Sequence, residues 1–348
     1  MEILFRCCDF PQNAEIIVPS FTFVASAHAC VTAGLKVRFA DCTTDTHCID
    51  PSSVSKLVNK NTVAILGVNV WGMPCDNETL QKIAHKHKLK LFYDSAHAFA
   101  CSGSHGKGER GRFGDAEVLS FHATKFFNSG EGGAIVTDDD EIAKQIRMYR
   151  NFAFADYDHV VGFGSNAKMS ELHAALGLTN LKSINSVIDT NRVNYIAYLK
   201  GLSNIPGIDL LRYEEKCVRS NYQYIVVMVD PELYGLDRDQ LVTMLHAENC
   251  LARKYFYPGV HRFEPYRKMD PQAESRVPNT IWISNRVMTL PTGTAVGVKE
   301  ISVLCALLLE FHKSAKSIKS WFDKRHGVPA LPRNPEGGVH VLENGSSR

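Results

Sequence analysis

Lys125 stands in an unusual setting for a lysine. Most lysines are solvated surface charges. This one follows the apolar run AEVLSF, has Phe121, Phe126 and Phe127 as neighbours, and leads into the loop NSGEGG. Partial removal from water lowers the pKa of an ammonium, and the neutral amine can then attack an aldehyde. Asp94 ends a second apolar run, LKLFYD. A carboxylate there could hold a proton on a heterocyclic nitrogen, although such an aspartate taken alone is more often a helix cap or turn residue. Ser120, five residues before Lys125, could donate to a phosphate oxygen. Gly130, Gly132 and Gly133 permit close backbone approach and suit a tight turn equally well. A Schiff-base lysine, an acid, phosphate donors and a surface for a ring are what a pyridoxal 5'-phosphate (PLP) site demands.

The elements that must position these groups alternate regularly. The runs 15–20, 35–42, 62–72, 89–99 and 116–125 read as buried strands with loops at their ends. Between them lie amphipathic segments such as 76–88, where Asp76 can cap a helix whose Leu80, Ile83, Ala84 and His87 share one face. Strand and helix alternating in this way predict a mainly parallel sheet covered on both faces. Ligands of such sheets sit beyond the carboxyl ends of the strands, where Asp94 and Lys125 fall.

Residues 139–152 and 168–200 read as helices, the second broken near 183–185. From Tyr222 the pattern changes to a strand (YQYIVVMVD), a helix (DRDQLVTMLHAENC) and a strand entering a loop (ARKYFYPGVH). The expected organisation is a large α/β domain over 1–190, a smaller C-terminal α+β domain over 191–324 and a loose tail over 325–348 rich in Gly, Pro, Asn and Ser.

With 348 residues and a formal net charge of +2, the chain offers no electrostatic case for nucleic acid or an anionic membrane. Glu2, Arg6 and Asp9 interrupt any signal-peptide core, and no run is long enough to span a bilayer. The ten cysteines are scattered without a C-x-x-C pair, which reads as reduced, buried thiols in a cytoplasmic protein. Fourteen histidines raise the question of a metal hydrolase. His85 and His87, two apart on a helix, point to different faces, and no H-E-x-x-H occurs, so no metal is expected.

Four segments occur in order: VPSFTFVASAHA, DSAHA, SFHATKFFNSGEGGAIVT and GFGSNAKMSELHAALGL, with ARKYFYPGVH beyond them. Together they resemble the DegT/DnrJ/EryC1/StrS family of PLP-dependent sugar aminotransferases, from the first residues to about Leu308. The resemblance implies PLP fold type I, an aspartate-aminotransferase-like three-layer sandwich with a smaller C-terminal α+β domain. It implies that Lys125 bonds the cofactor and shuttles the proton, that Asp94 pairs with the pyridinium nitrogen, and that His97 lies beside the phenolic oxygen. It further implies that Ser120 binds the phosphate, that Phe23 stacks on the ring, and that Asn166 reaches a neighbouring subunit's phosphate in a homodimer with shared sites. Tyr257 and His261 fall in the segment that closes over the sugar, although core packing would account for aromatic residues there equally well. Trp71, after GVNVWG, reads as a structural indole more readily than a pocket wall. Retention of a lysine at 125, where one branch of the family has histidine and dehydrates its substrate, favours transamination. The implied reaction moves an amino group from glutamate to a keto-sugar nucleotide such as a dTDP-4-keto-6-deoxyhexose.

The family also carries a Gly-Thr turn at a helix N-terminus that binds the cofactor phosphate. MEILFRCCDF resembles the middle of that helix, so the turn is expected to be missing. The alternative reading is therefore a truncated, weakly active pseudoenzyme or subunit partner of the same fold.

Overall fold

The computed structural model describes residues 1–102, 114–213 and 219–324. The tail expected from residue 325 lies outside the described residues. At the centre is a six-stranded sheet. Strands β1 (Glu15–Pro19), β2 (Lys36–Ala40), β3 (Thr62–Val68), β4 (Lys90–Asp94) and β5 (Ala116–Ser120) run parallel. An edge strand not foreseen in the sequence, β6 (Gly133–Val136), pairs antiparallel with β5. The order β2-β1-β3-β4-β5-β6 sends the chain one way from β1 and the other way at β3. Such a switch point opens a crevice at the carboxyl ends.

Alternation along the strands feeds two cores. Ile17, Ile65, Leu91 and Tyr93 face one side, and Ile16, Val18, Ala64, Leu66 and Phe92 face the other. Over the second face lie α1 (Glu2–Arg6) through Leu4 and Phe5, and α2 (Val24–Thr32) through Ala27 and Cys30. The first face is covered by α3 (Pro51–Leu57) and α4 (Asn77–His87), through Val54, Leu57, Leu80, Ile83 and Ala84. Three layers result, as the alternation predicts. Asp76 caps α4 by accepting the Thr79 N–H at 3.1 Å. His87, expected on the buried face, is exposed, because the helix ends there and Lys88 turns left-handed.

The helix expected over 139–152 is α5 (Asp140–Tyr149), followed by the hairpin β7 (Phe154–Asp156) and β8 (His159–Val160). The predicted break near residue 183 separates α6 (Glu171–Leu181) from α7 (Ile184–Leu202). Beyond it, β9 (Ile208–Leu210), β10 (Ile225–Val229) and β11 (Val287–Leu290) form an antiparallel sheet in the order β11-β10-β9. The strand expected from ARKYFYPGVH is absent. Arg253 alone bridges to Thr289, since Pro258 has no N–H to offer and Gly259 turns the chain at φ +95°.

The boundary expected at residue 190 falls inside α7. Part of the C-terminal half also returns to the first sheet. The N–H of Val260 donates to the Ser20 carbonyl at 3.0 Å. The carboxylate of Asp41, just past β2, accepts the N–H groups of Asn279 and Thr280 at 2.9 and 2.8 Å. Cys30, Cys42, Cys48 and Cys305 are buried free thiols. No helix among the described residues is long and apolar enough to cross a membrane.

Candidate active site

Four strand ends at the switch point deliver the candidate residues. The loop after β1 carries Phe23 into α2, β3 runs into Asn69 and Trp71, β4 ends at Asp94, and Lys125 follows β5 by five residues. Asp94 is 5% exposed, and each of its carboxylate oxygens accepts one hydrogen bond. Ser26, on the first turn of α2, donates its hydroxyl to Asp94 Oδ2 at 2.6 Å, and the Ala96 N–H donates to Oδ1 at 3.1 Å. Thr22 Oγ1 lies 2.9 Å from the Ser26 hydroxyl, which extends the chain of bonds. The Asn69 N–H donates to the Asp94 carbonyl at 3.0 Å, tying the β3 and β4 ends together.

Lys125 sits in a turn, its N–H bonded to the His122 carbonyl at 2.9 Å. In the flanking aromatic cluster Phe99 stacks on Phe127 at 4.5 Å, and Phe121 meets both edge-on at 5.4 and 5.0 Å. Burial lowers the Lys125 ammonium from its usual range, and the charge of Asp94 opposes that shift. Lys125 is thus a partly desolvated amine that feels the charge of a buried carboxylate.

His97 is buried, and that burial, with the charge of Lys125 adding to it, drives its pKa well below the ordinary imidazole value. The ring lies 4.6 Å from Tyr224 and stacks on Trp71 and Phe256 at 5.9 and 6.0 Å. Asn221 clamps the backbone here, donating its amide to the His97 carbonyl at 2.9 Å and to that of Phe99 at 3.1 Å. Ser120 is half-buried at the end of β5, its Oγ 3.4 Å from the His122 N–H.

The remaining expected residues are more dispersed. Phe23 is the N-cap residue of α2 and 60% exposed, one turn before Ser26. Asn166 is exposed and accepts from Lys168 Nζ at 2.7 Å; no bond joins it to Asp94 or Lys125 among the described residues. Tyr257 is 43% exposed, with Arg238 and Lys254 at 5.1 and 5.4 Å from its ring. His261 is 2% exposed and uses both nitrogens within the protein: Nδ1 lies 2.6 Å from Ser20 Oγ and Nε2 3.0 Å from Glu274 Oε2. That geometry makes it a strut between the β1 loop and residues 261–274. Trp71 is fully buried, as a structural indole should be. Sequence reasoning overlooked Ser26, Asn221 and Tyr224. The signal for Ser26 was the small-residue run VASA at the start of α2, which lets the helix approach the strand end closely.

Comparison with known proteins identifies the family. The model of the DegT/DnrJ/EryC1/StrS aminotransferase family matches residues 1–308. A dTDP-4-amino-4,6-dideoxy-D-glucose transaminase of Shigella dysenteriae is 36% identical over 279 residues, 80% of this chain and 74% of that protein. The enzyme of the same description from Escherichia coli is 32% identical over 297 residues, 85% of this chain and 79% of that protein. The crystal structure of DesI in the presence of its TDP-sugar product superposes with a TM-score of 0.84 at 39% identity, covering 92% of this chain and 80% of that one. With the strand-end lysine, the buried aspartate and the switch-point sheet in place, the chain belongs to the DegT/DnrJ/EryC1/StrS aminotransferase family.

Proposed function

We propose that the protein transfers an amino group from glutamate to a keto-sugar nucleotide with PLP as cofactor, the acceptor being a dTDP-4-keto-6-deoxyhexose. One observation carries the reading: the amine of Lys125, depressed by burial, lies within electrostatic reach of Asp94 at the switch point. The names of the relatives from Shigella dysenteriae and Escherichia coli support the class of acceptor.

The residues present fit PLP. Asp94, braced by Ser26 and Ala96, is built to meet a protonated ring nitrogen. His97 has one ring nitrogen without a partner among the described residues, available to the phenolic oxygen. Ser120 is the candidate phosphate donor, and Phe23, exposed beside the site, the candidate stacking surface. When bound, the cofactor supplies an electron sink for the carbon that loses or gains its proton. The chain supplies the rest. Lys125, whose amine form burial favours, would take a proton from the donor's carbon and return one to the acceptor's. Tyr257, exposed and flanked by cations, remains the better placed of the two sugar-contact candidates.

We further propose a homodimer. Phe163 and Leu172 are 98% and 83% exposed, on either side of Asn166. Apolar surface of this kind marks an interface, and a second copy covering it would bring Asn166 to its neighbour's site. The buried free thiols support a reducing, cytoplasmic setting. The alternative, a fold retained without its chemistry, is not favoured, since Lys125, Asp94 and His97 stand together at the strand ends.

The test is the visible spectrum of the purified chain with PLP, before and after glutamate. A cofactor band that converts on adding glutamate and is missing in Lys125→Ala supports the proposal. No band at millimolar PLP overturns it.

A further inference from the structure

His97 receives the backbone N–H of Trp71 on its Nδ1 at 3.2 Å. A backbone amide can only donate, so Nδ1 must present its lone pair. Burial, reinforced by the charge of Lys125, keeps this imidazole neutral. A neutral ring that accepts on Nδ1 carries its proton on Nε2. That nitrogen has no partner among the described residues.

The amide is aimed by an unusual backbone. Trp71 adopts φ +61°, inside the short turn Val70–Gly72. A bulky residue avoids this left-handed region unless its surroundings over-determine it. Here they do. The indole is fully buried, and its Nε1–H donates to His47 Nδ1 at 3.1 Å. It stacks on Phe256 at 5.5 Å, and its carbonyl accepts the Tyr213 hydroxyl at 3.3 Å. The side chain of Trp71 thus holds a strained backbone whose N–H then sets the state of His97.

We infer that Trp71 is a positioning residue that locks His97 as the Nε2–H tautomer, making it a one-proton donor to whatever occupies the site beside Lys125. That the recipient is the phenolic oxygen of PLP rests on the function proposed above. A donor of this kind stabilises an anionic oxygen without placing a second cation next to Lys125. The other tautomer would present a lone pair to that oxygen and repel it.

The tautomer is read in the full-length protein without cofactor, by two-bond proton–nitrogen NMR on histidine-labelled chain, with His97→Gln identifying the signal. At neutral pH we expect Nε2 protonated and Nδ1 bare, and in Trp71→Ala a mixture of the two tautomers. Protonated Nδ1 in the wild type overturns the inference, and so does an unchanged signal in a folded Trp71→Ala. PLP titration adds a second readout. Glutamine offers an acceptor and a donor on one amide, so His97→Gln should hold PLP nearly as well as wild type. His97→Leu, lacking one hydrogen bond, should bind about tenfold more weakly. Equal weakening in both variants also overturns the inference. If the wild type forms no PLP band, the proposed function fails while the NMR result still decides the tautomer.

Discussion

Ser26 donates its hydroxyl to Asp94 Oδ2 at 2.6 Å, joining the first turn of α2 to the carboxyl end of β4. Both residues are buried, Ser26 completely. A hydrogen bond to a charged group is worth about 1.5–3 kcal/mol, and its loss leaves a desolvated oxygen unsatisfied. We expect Ser26→Ala to weaken PLP binding by about tenfold, since 1.4 kcal/mol is a factor of ten. Titrating the cofactor band in both proteins measures this. Affinity equal to wild type would mean that Asp94 needs no brace.

How far the site could be read from sequence depends on how far apart its parts lie along the chain. Asp94 and Lys125 were legible because apolar runs end next to them, and strand ends are where a parallel sheet binds ligands. Asp76 was legible as a cap because capping is local. The Ser26–Asp94 bond spans 68 positions and the Ser20–His261 bond 241, and no local pattern encodes either. Edge strand β6 was hidden for a different reason. It is four residues long and begins at Gly133, inside a glycine-bearing loop with little strand propensity, so pairing with β5 decides its conformation. The left-handed turn at Trp71 escaped because the apolar run GVNVWG reads as one strand through Gly72, whereas the strand stops at Val68. His87 shows the opposite failing, since helical periodicity assigns a face without knowing where the partner surface ends.

Lys125 predicts a pH-dependent stability with a definite sign. Its folded pKa lies below the ordinary value of 10.5, chiefly through burial. At neutral pH the folded chain therefore carries a charge that is more comfortable in the unfolded one. Stability rises as pH climbs from the folded pKa through the unfolded one, where the unfolded state binds more protons. In the cofactor-free protein, Lys125→Met should be more stable than wild type at neutral pH, and the gap should shrink towards pH 10.5. Urea unfolding at both pH values gives the comparison. A variant less stable than wild type at neutral pH would show that the ammonium is well solvated or paired.

The exposed apolar residues around Asn166 predict an obligatory second copy. Leu172 and Leu178 on α6 are 83% and 65% exposed, and Phe163 is 98% exposed. A symmetric interface counts each substitution twice, and a central apolar anchor is worth about 2 kcal/mol or more. Leu172→Asp should therefore raise the dimer dissociation constant by at least about a hundredfold. Sedimentation over a concentration series reads the mass, and the transaminase rate should fall in step with the dimer fraction, because Asn166 would act across the interface. A wild type that stays monomeric at micromolar concentration removes the shared-site reading.

His261 separates a strut from a sugar contact. Its Nδ1 faces Ser20 and its Nε2 faces Glu274, which also pairs with Arg262. Burial, the largest influence, holds the imidazole below its usual pKa in spite of Glu274, so at neutral pH the ring is a neutral bridge between a hydroxyl and a carboxylate. Removing it takes the acceptor from the buried Ser20 hydroxyl, which keeps only the residue 261 N–H at 3.3 Å, and loosens residues 261–274 from the β1 loop that carries Phe23. We expect His261→Ala to cost about 1–3 kcal/mol of stability, the penalty for an unsatisfied buried group. The KM for the keto-sugar nucleotide should change by less than about threefold, because a strut supplies no binding contact to lose. Tyr257→Ala, exposed at 43%, should show the reverse pattern: near wild-type stability and a raised KM. Chemical denaturation and steady-state kinetics on the two variants decide the matter. A raised KM at unchanged stability in His261→Ala would put that ring back among the sugar contacts.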